Sequence, residues 1–349
     1  MNFHQATLEK TQDWMRRLAQ QYLVFFPFRE GLHNFSFEEV GPESFLDFDH
    51  YQPTITPPGK KLLPEKDDLV TFELKEDGTH DAKVFLDTRD RILAGVRPCD
   101  VKAIDLMDQV FMSGTADPHY LTRRKHTTVI AVDCLSPCND ECFCDSVGSL
   151  TYRQGADIWI TPLGEEQFLF EPLTEQGEAL LGASQFPICD NGPAARQAAC
   201  DTRPNPFGRQ FDLAPEKLPG NLADHIHSPV WEKHTKNCFS CGTCNLVCPT
   251  CYCFEVCDQL DLTGKTGTRT RSWDSCMIHT FSEVSGGHNF RASAVARQRH
   301  RVRRKFDYLP ANMDKDCFCV GCGRCGHQCT ANIDIFDIVN DLCAEVMEV

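Results

Sequence analysis

The chain has 349 residues, 41% of them hydrophobic and 24% charged, which is typical of a soluble globular protein of two or three domains. Its formal net charge of −15 argues against nucleic acid as a partner. The unusual feature is the 21 cysteines. Because the N-terminus has no apolar signal core and no apolar run could cross a bilayer, we interpret them as metal ligands in a reducing cytoplasm, away from the membrane.

In chain order, the first part of the sequence alternates strand-like and helix-like patterns. An opening helix is predicted over residues 4–21, and a second helix runs from Val101 to Met112. Strand-like runs lie at Tyr22–Phe28, Leu69–Leu74, Ile92–Val96, Thr127–Val132, Asp157–Thr161 and Gln167–Phe170. The alternation predicts an α/β or α+β domain over residues 1–222.

Beyond residue 222 the strand-like runs stop and helical patterns take over. Helices are predicted in Asp224–Lys236, Phe254–Leu262, Arg291–Tyr308 and Ile333–Met347. We therefore expect residues 223–349 to form an all-α dicluster domain of the helical ferredoxin type.

Two cysteine runs with the same spacing lie in this second part. The first, Cys238 to Cys248, reads C-x2-C-x2-C-x3-C and precedes a proline, and the second, Cys319 to Cys329, repeats it before Thr330. Three cysteines spaced in this way can surround one iron–sulfur cube, while the fourth can ligate the other cube of a pair. The pattern predicts two [4Fe–4S] clusters. Their ligands would be Cys238, Cys241, Cys244 and Cys329 for one, and Cys319, Cys322, Cys325 and Cys248 for the other.

Two alternatives remain open for these runs. Cys251 or Cys253 could replace Cys248 as the fourth ligand, although we interpret both, with Cys257 and Cys276, mainly as surroundings of the clusters. Structural zinc also uses C-x2-C pairs, but it has no use for a third evenly spaced cysteine.

A third group of cysteines follows two predicted strands of the first part. Cys99 comes after Ile92–Val96, and four more cysteines come after Thr127–Val132. Strand ends of an α/β domain converge on one edge of the sheet, so these sulfurs could meet. We predict a third [4Fe–4S] cluster on Cys99, Cys134, Cys142 and Cys144. Cys138 is the spare thiol and could replace Cys134, and zinc is the alternative occupant.

A basic run between Arg291 and Lys305 has three interpretations. It could be the solvated face of a helix, it could offset the negative charge of a cluster and its thiolates, or it could dock an acidic partner. No motif for a nucleophile, a phosphate loop, a flavin or a nicotinamide accompanies the cysteines, so we expect no substrate site in this chain.

With these motifs in place, the chain resembles the family of the anaerobic sulfite reductase A subunit and the sulfhydrogenase beta subunit. The resemblance rests on seven segments. They are RPCDVKAIDLMDQVF (97–111), DPHYLTRR (117–124), CFCDSVG (142–148), CFSCGTCNLVCPTCYCF (238–254), RTRSWDSCM (269–277), GGHNFR (286–291) and CVGCGRC (319–325). Thr330 departs from the pattern, since proline is common there.

The resemblance implies an electron-transfer subunit of a multisubunit oxidoreductase. Its partners would be a flavin-containing, NAD(P)H-binding subunit and a catalytic subunit: a NiFe hydrogenase, a sulfite reductase or a heterodisulfide-reductase-like unit. Two other functions compete with it. The chain could be a redox enzyme with its own substrate-facing cluster, or a zinc-stapled scaffold without redox work.

Overall fold

The computed structural model describes residues 2–48 and 51–347. The strands are β1 His4–Thr7, β2 Leu23–Glu30, β3 Asn34–Glu39, β4 Lys66–Leu74, β5 His80–Val84, β6 Arg91–Val96, β7 Thr127–Val132, β8 Ile158–Gly164, β9 Gln167–Pro172, β10 Phe254–Leu260, β11 Thr266–Trp273, β12 Glu283–Val284 and β13 His288–Asn289. The helices are α1 Leu8–Leu18, α2 Pro98–Met112, α3 Pro118–Lys125, α4 Glu175–Gly182, α5 Gly192–Cys200, α6 Leu218–Asp224, α7 Val230–Thr235, α8 Thr243–Leu246, α9 Ala294–Arg303, α10 Leu309–Met313, α11 Arg324–His327 and α12 Ile335–Met347. Among these helices, none is both long and apolar enough to span a bilayer.

A seven-stranded mixed sheet organises the first part, in the order β1-β9-β8-β7-β6-β2-β3. The central strands β2, β6, β7 and β8 are parallel, and every residue of β6 and β7 is buried. Parallel strands covered on both faces read as continuous apolar runs, which is why the sequence marked them clearly. Helices α1 and α4 pack on one face, and α2 and α3 pack on the other.

The carboxyl ends of β6 and β7 place the first thiols. Strand β6 ends at Val96, and helix α2 begins at Pro98, whose fixed backbone angle suits the first helical position. Cys99 is the second residue of that helix and therefore lies close to the carboxyl end of β6. Cys134 follows the end of β7, the neighbouring parallel strand. The two sulfurs therefore lie at the same edge of the sheet.

The prediction that the second part is all-α is wrong. The helix predicted over Phe254–Leu262 is instead strand β10, Phe254–Leu260, which pairs with β11 in an antiparallel hairpin. The hairpin pairs with β4, giving a four-stranded sheet in the order β10-β11-β4-β5. In β10 the apolar side chains of Phe254 and Val256 alternate with polar ones, and β11 is rich in threonine. Both features favour a strand, and the helical interpretation overlooked them.

The small sheet draws strands from both sides of residue 222. Strands β4 and β5 precede the predicted domain boundary, while β10 and β11 follow it. The division into residues 1–222 and 223–349 stays a prediction.

A separate helical core supports the cysteine runs. Buried side chains of α6, α7, α9 and α12 pack around Trp231 and Phe306. Helix α9 continues through a π-helical turn, Arg304–Tyr308, into α10. Single π turns in helices are frequent at functional sites, and this one carries the buried Lys305.

Candidate metal centres

Both cysteine runs fold in the same way. In each, a glycine with a left-handed backbone caps a one-turn helix: Gly242 at φ 83° before α8, and Gly323 at φ 74° before α11. The third cysteine of each run, Cys244 or Cys325, lies on that helix. Helices α8 and α11 contact each other, so the two runs face each other as the repeated spacing predicts.

The structure brings Cys248 to the C-terminal run. Burial is the main cause that raises the pKa of Cys322 to about 12, and the negative charge of Cys248 contributes. The same two causes, among others, act on the pKa of Cys319, which is raised, and burial also dominates the raised pKa of Cys325 beside Cys248. Cys248 therefore lies among the three thiols predicted to share its cluster.

The first run is less tightly gathered. Burial raises the pKa of Cys244 to about 12, and the charges of Cys325 in the C-terminal run, Cys238 and Cys248 contribute. The Cys238 sulfur accepts hydrogen bonds from the backbone N–H of Ser240 at 3.4 Å and from Gln298 Nε2 at 3.5 Å. Cys241 is exposed, while the Cys329 sulfur accepts the backbone N–H of Ile333 at 3.3 Å. This ligand set stays a prediction.

The N-terminal constellation contains all five cysteines of the third group. The Cys142 sulfur accepts hydrogen bonds from Cys138 and Cys144, and these bonds lower its pKa to about 3. The hydrogen bond to Cys142, burial and the charges of Cys99 and Cys134 raise the pKa of Cys144. The structure thus brings together the four predicted ligands, and it places Cys138, the predicted spare, among them.

A buried arginine lies against this constellation. Arg97 donates to the backbone oxygens of Asp133, at 3.3 Å, and Tyr51, at 3.1 Å. Burial alone would lower its pKa, but Tyr51 and the thiols of Cys134, Cys138 and Cys99 raise it. The fixed positive charge would offset the charge of thiolates at this site.

The N-terminal constellation is in direct contact with the C-terminal run. The backbone N–H of Phe143 donates to Gly321 O at 2.8 Å, and Asn139 Nδ2 donates to Cys322 O at 3.3 Å. Gly321 has a left-handed backbone, and a Cβ there would lie 2.6 Å from the Phe143 backbone. Only glycine fits this approach without displacing the chain.

A buried ion pair fastens the two sites together. Arg324, on α11, donates from both terminal nitrogens to the two carboxylate oxygens of Asp100, each at 2.7 Å, and Arg324 Nε donates to Thr54 O at 2.7 Å. Asp100 is the neighbour of Cys99, and the charge of Cys322 acts on Cys99 as well. The bidentate geometry fixes both orientation and distance.

The basic run turns three cations inward. Arg297, Arg301 and Lys305 lie four residues apart and are 5%, 3% and 2% exposed, so they form one buried helical face. Burial alone would lower the pKa of Arg301 and Lys305, but nearby thiols, including Cys248 and Cys251, raise it. This geometry favours charge compensation over a solvated face.

Sequence reasoning missed a further thiol group. Cys253 lies beside Cys276, which comes from the loop after β11, and a hydrogen bond joins their sulfurs. Cys251 lies beside Cys248, and its backbone oxygen accepts Lys60 Nζ at 2.7 Å. The sequence did not predict that Cys253 and Cys276 lie together. The β10–β11 hairpin brings them together, and β10 was predicted as a helix.

The donor sets fit iron–sulfur clusters. Thiolates are the ligands that [4Fe–4S] clusters take, and both runs and the N-terminal constellation supply several cysteines each. Arg301 Nε is buried among these thiols and has no hydrogen-bond partner in the part of the chain that the structure describes, as expected of a cation facing a charged group.

Comparison with known proteins agrees with this chemistry. Residues 237–333 match the family described as "4Fe-4S dicluster domain". Sulfhydrogenase 2 subunit beta of Pyrococcus furiosus is 31% identical over an alignment that covers 98% of this chain and 98% of the relative. No solved structure is significantly similar. The matches confirm the resemblance to sulfhydrogenase beta subunits and the prediction that the second part binds [4Fe–4S] clusters.

Proposed function

Because the chain belongs to the sulfhydrogenase beta-subunit family, we propose that this iron–sulfur electron-transfer protein works as a subunit that joins a flavin-containing, NAD(P)H-binding subunit to a catalytic subunit. The catalytic partner is a NiFe hydrogenase, a sulfite reductase or a heterodisulfide-reductase-like unit. The observation that carries the proposal is the contact between the N-terminal constellation and the C-terminal run through Phe143 and Gly321.

The proposal assigns three ligand sets. They are Cys238, Cys241, Cys244 and Cys329; Cys319, Cys322, Cys325 and Cys248; and Cys99, Cys134, Cys142 and Cys144. The contacts support a relay in which the second set lies between the other two. The second set touches the third through the 139–144 loop, and it includes Cys248 from the first run. When bound, such clusters carry single electrons at potentials set by charge, hydrogen bonds and solvent exposure.

The chain's own residues control that environment. Burial keeps the Cys244 and Cys322 thiols protonated near neutral pH, with a pKa of about 12 each, so cluster assembly must release protons there. Arg97, Arg301 and Lys305 supply fixed positive charge beside the thiolates that result. Backbone and amide N–H groups donate to the Cys238 and Cys329 sulfurs.

Metal and sulfide analysis of anaerobically purified protein tests the cluster assignment. We expect about twelve irons and about twelve acid-labile sulfides per chain, with reduced-cluster EPR signals after dithionite treatment. A content of about eight irons would mean that the N-terminal constellation holds no cluster. Colourless protein that contains only zinc would mean that the chain is a scaffold without redox work.

A native anaerobic pull-down tests the partners. We expect a flavoprotein and a catalytic subunit to co-purify with the chain. If the isolated chain oxidised NADH without a partner, the flavin site would lie in this chain and the partner assignment would be wrong.

A further inference from the structure

Three thiols outside the three ligand sets line one cavity. Cys251, Cys253 and Cys276 line it together with Phe254 at the start of β10, and its volume is about 240 Å³. Cys276 is 3% exposed, and Cys253 is partly exposed. Neither sulfur has a role in the proposed electron transfer.

Cys253 and Cys276 form a matched pair. The Cys253 thiol donates a hydrogen bond to the Cys276 sulfur. Asn245 Nδ2 also donates to the Cys276 sulfur, at 3.0 Å, and at the longer distance of 3.8 Å to the Cys253 sulfur. Two donors converge on Cys276, so negative charge is favoured on that sulfur and the proton on its neighbour. A thiolate beside a thiol is the arrangement that thiol–disulfide exchange requires.

The wall of the cavity is cationic. Arg301, Arg304 and Lys305 line it together with the thiols. Lys305 Nζ is held by the backbone and side-chain oxygens of Thr250, at 2.6 and 2.7 Å, so its charge is fixed in place. A cleft lined by one sign of charge concentrates small ions of the opposite sign.

We propose that Cys253 and Cys276 are a redox-active dithiol that exchanges with small anionic disulfides in this cavity. The Cys276 thiolate attacks one sulfur of the substrate, breaks its S–S bond and releases one thiolate. The Cys253 sulfur then attacks the Cys276 sulfur of the mixed disulfide and releases the second thiolate, which takes the Cys253 proton. The pair loses two electrons and becomes a disulfide, and the substrate gains them and leaves as one thiolate and one thiol.

This site goes beyond the proposed relay and does not depend on it. It also departs from the expectation that the chain has no substrate site of its own. An external dithiol returns the oxidised pair to its starting state, so the exchange can be followed in the isolated chain without a partner subunit.

Peptide mapping of the anaerobic, cluster-containing protein tests the pair. After treatment with dithiodiglycolate and alkylation of the remaining thiols, we expect a Cys253–Cys276 disulfide in the unmodified chain. Cys253→Ser should accumulate a mixed disulfide on Cys276, and Cys276→Ser should form neither product. Cys257→Ser removes an exposed thiol of β10 and should behave like the unmodified chain.

Two further measurements test the assignment. Dithiodiglycolate should react about tenfold faster than the cation cystamine, and Arg304→Gln should reduce that preference. Equal rates would overturn the anionic substrate class. Iron content should be unchanged in Cys253→Ser and Cys276→Ser. Loss of about four irons from either would make that residue a cluster ligand and overturn the dithiol, while leaving the relay intact.

Discussion

The N-terminal constellation and the C-terminal runs are built in opposite ways. Each run places its cysteines in one short loop, around a left-handed glycine and a one-turn helix. The constellation instead gathers Cys99 from the start of α2, Cys134 from the end of β7 and the rest from the loop that follows. A local motif fixes the geometry of a run, whereas the sheet fixes the geometry of the constellation.

The contact between the two regions links these designs. Gly321 accepts the Phe143 N–H, and Arg324 binds Asp100 beside Cys99. Substituting a residue that is not a predicted ligand can therefore affect iron binding in both regions. Substituting a cysteine of the constellation should affect iron binding in the constellation alone. Four predictions test the two regions and the contact between them.

The largest effect is expected for Arg324→Met. The change leaves the buried carboxylate of Asp100 without its cation, which typically costs about 3–5 kcal/mol of stability. We expect a large fall in the melting temperature and loss of iron from both regions, measured by calorimetry and metal analysis.

The double variant Arg324→Met/Asp100→Leu is the control for this prediction. It removes both charges, so it should recover much of the melting temperature that the single variant loses. A single variant as stable as the unmodified chain would mean that the ion pair does not join the regions.

How much the sequence could predict follows the same division. The spacing of the runs predicted [4Fe–4S] binding in the second part of the chain, because each motif carries its own turn and its own cysteines. The apolar runs of β6 and β7 marked the sheet edge at which Cys99 and Cys134 meet. Local pattern was sufficient wherever local geometry builds the site.

The failures concern long-range pairing. Strand β10 is exposed along its whole length, so it lacks the buried apolar run that marked the central strands. It is held by β11, and β11 is held by β4 from the distant first part of the chain. No local pattern specifies that partner, and missing it also concealed the approach of Cys276 to Cys253.

The next largest effect is expected for Cys248→Ala. This sulfur lies among Cys319, Cys322 and Cys325, so its loss should remove the cluster predicted on these four cysteines and about four of about twelve irons. Cys251→Ala is the matched control, because it removes the adjacent thiol and should keep all the iron. Iron loss from Cys251→Ala alone would reassign the fourth ligand.

A more confined effect is expected for Cys99→Ala. The change should remove about four irons while the EPR signals of the C-terminal clusters persist, because the runs supply their own ligands. Cys138→Ala should retain its iron, since this thiol is not in the predicted ligand set. If Cys138→Ala loses iron and Cys99→Ala does not, the constellation uses a different set of sulfurs.

The smallest effect is expected for Lys305→Met, which changes a potential and leaves the iron content unchanged. Lys305 is buried beside Cys248, Cys251 and Cys319, whose charges raise its pKa above the value that burial alone would give. Removing this cation destabilises the more negative, reduced form of the neighbouring cluster, so the midpoint potential should fall by on the order of 50 mV. An EPR-monitored redox titration measures the shift.

Two variants are the controls for this prediction. Lys305→Arg should keep the original potential, and Arg299→Met, which removes a cation that donates to Ile226 O, should shift it far less. Equal shifts from Lys305→Met and Arg299→Met would show that net charge, and not the buried position of Lys305, sets the potential.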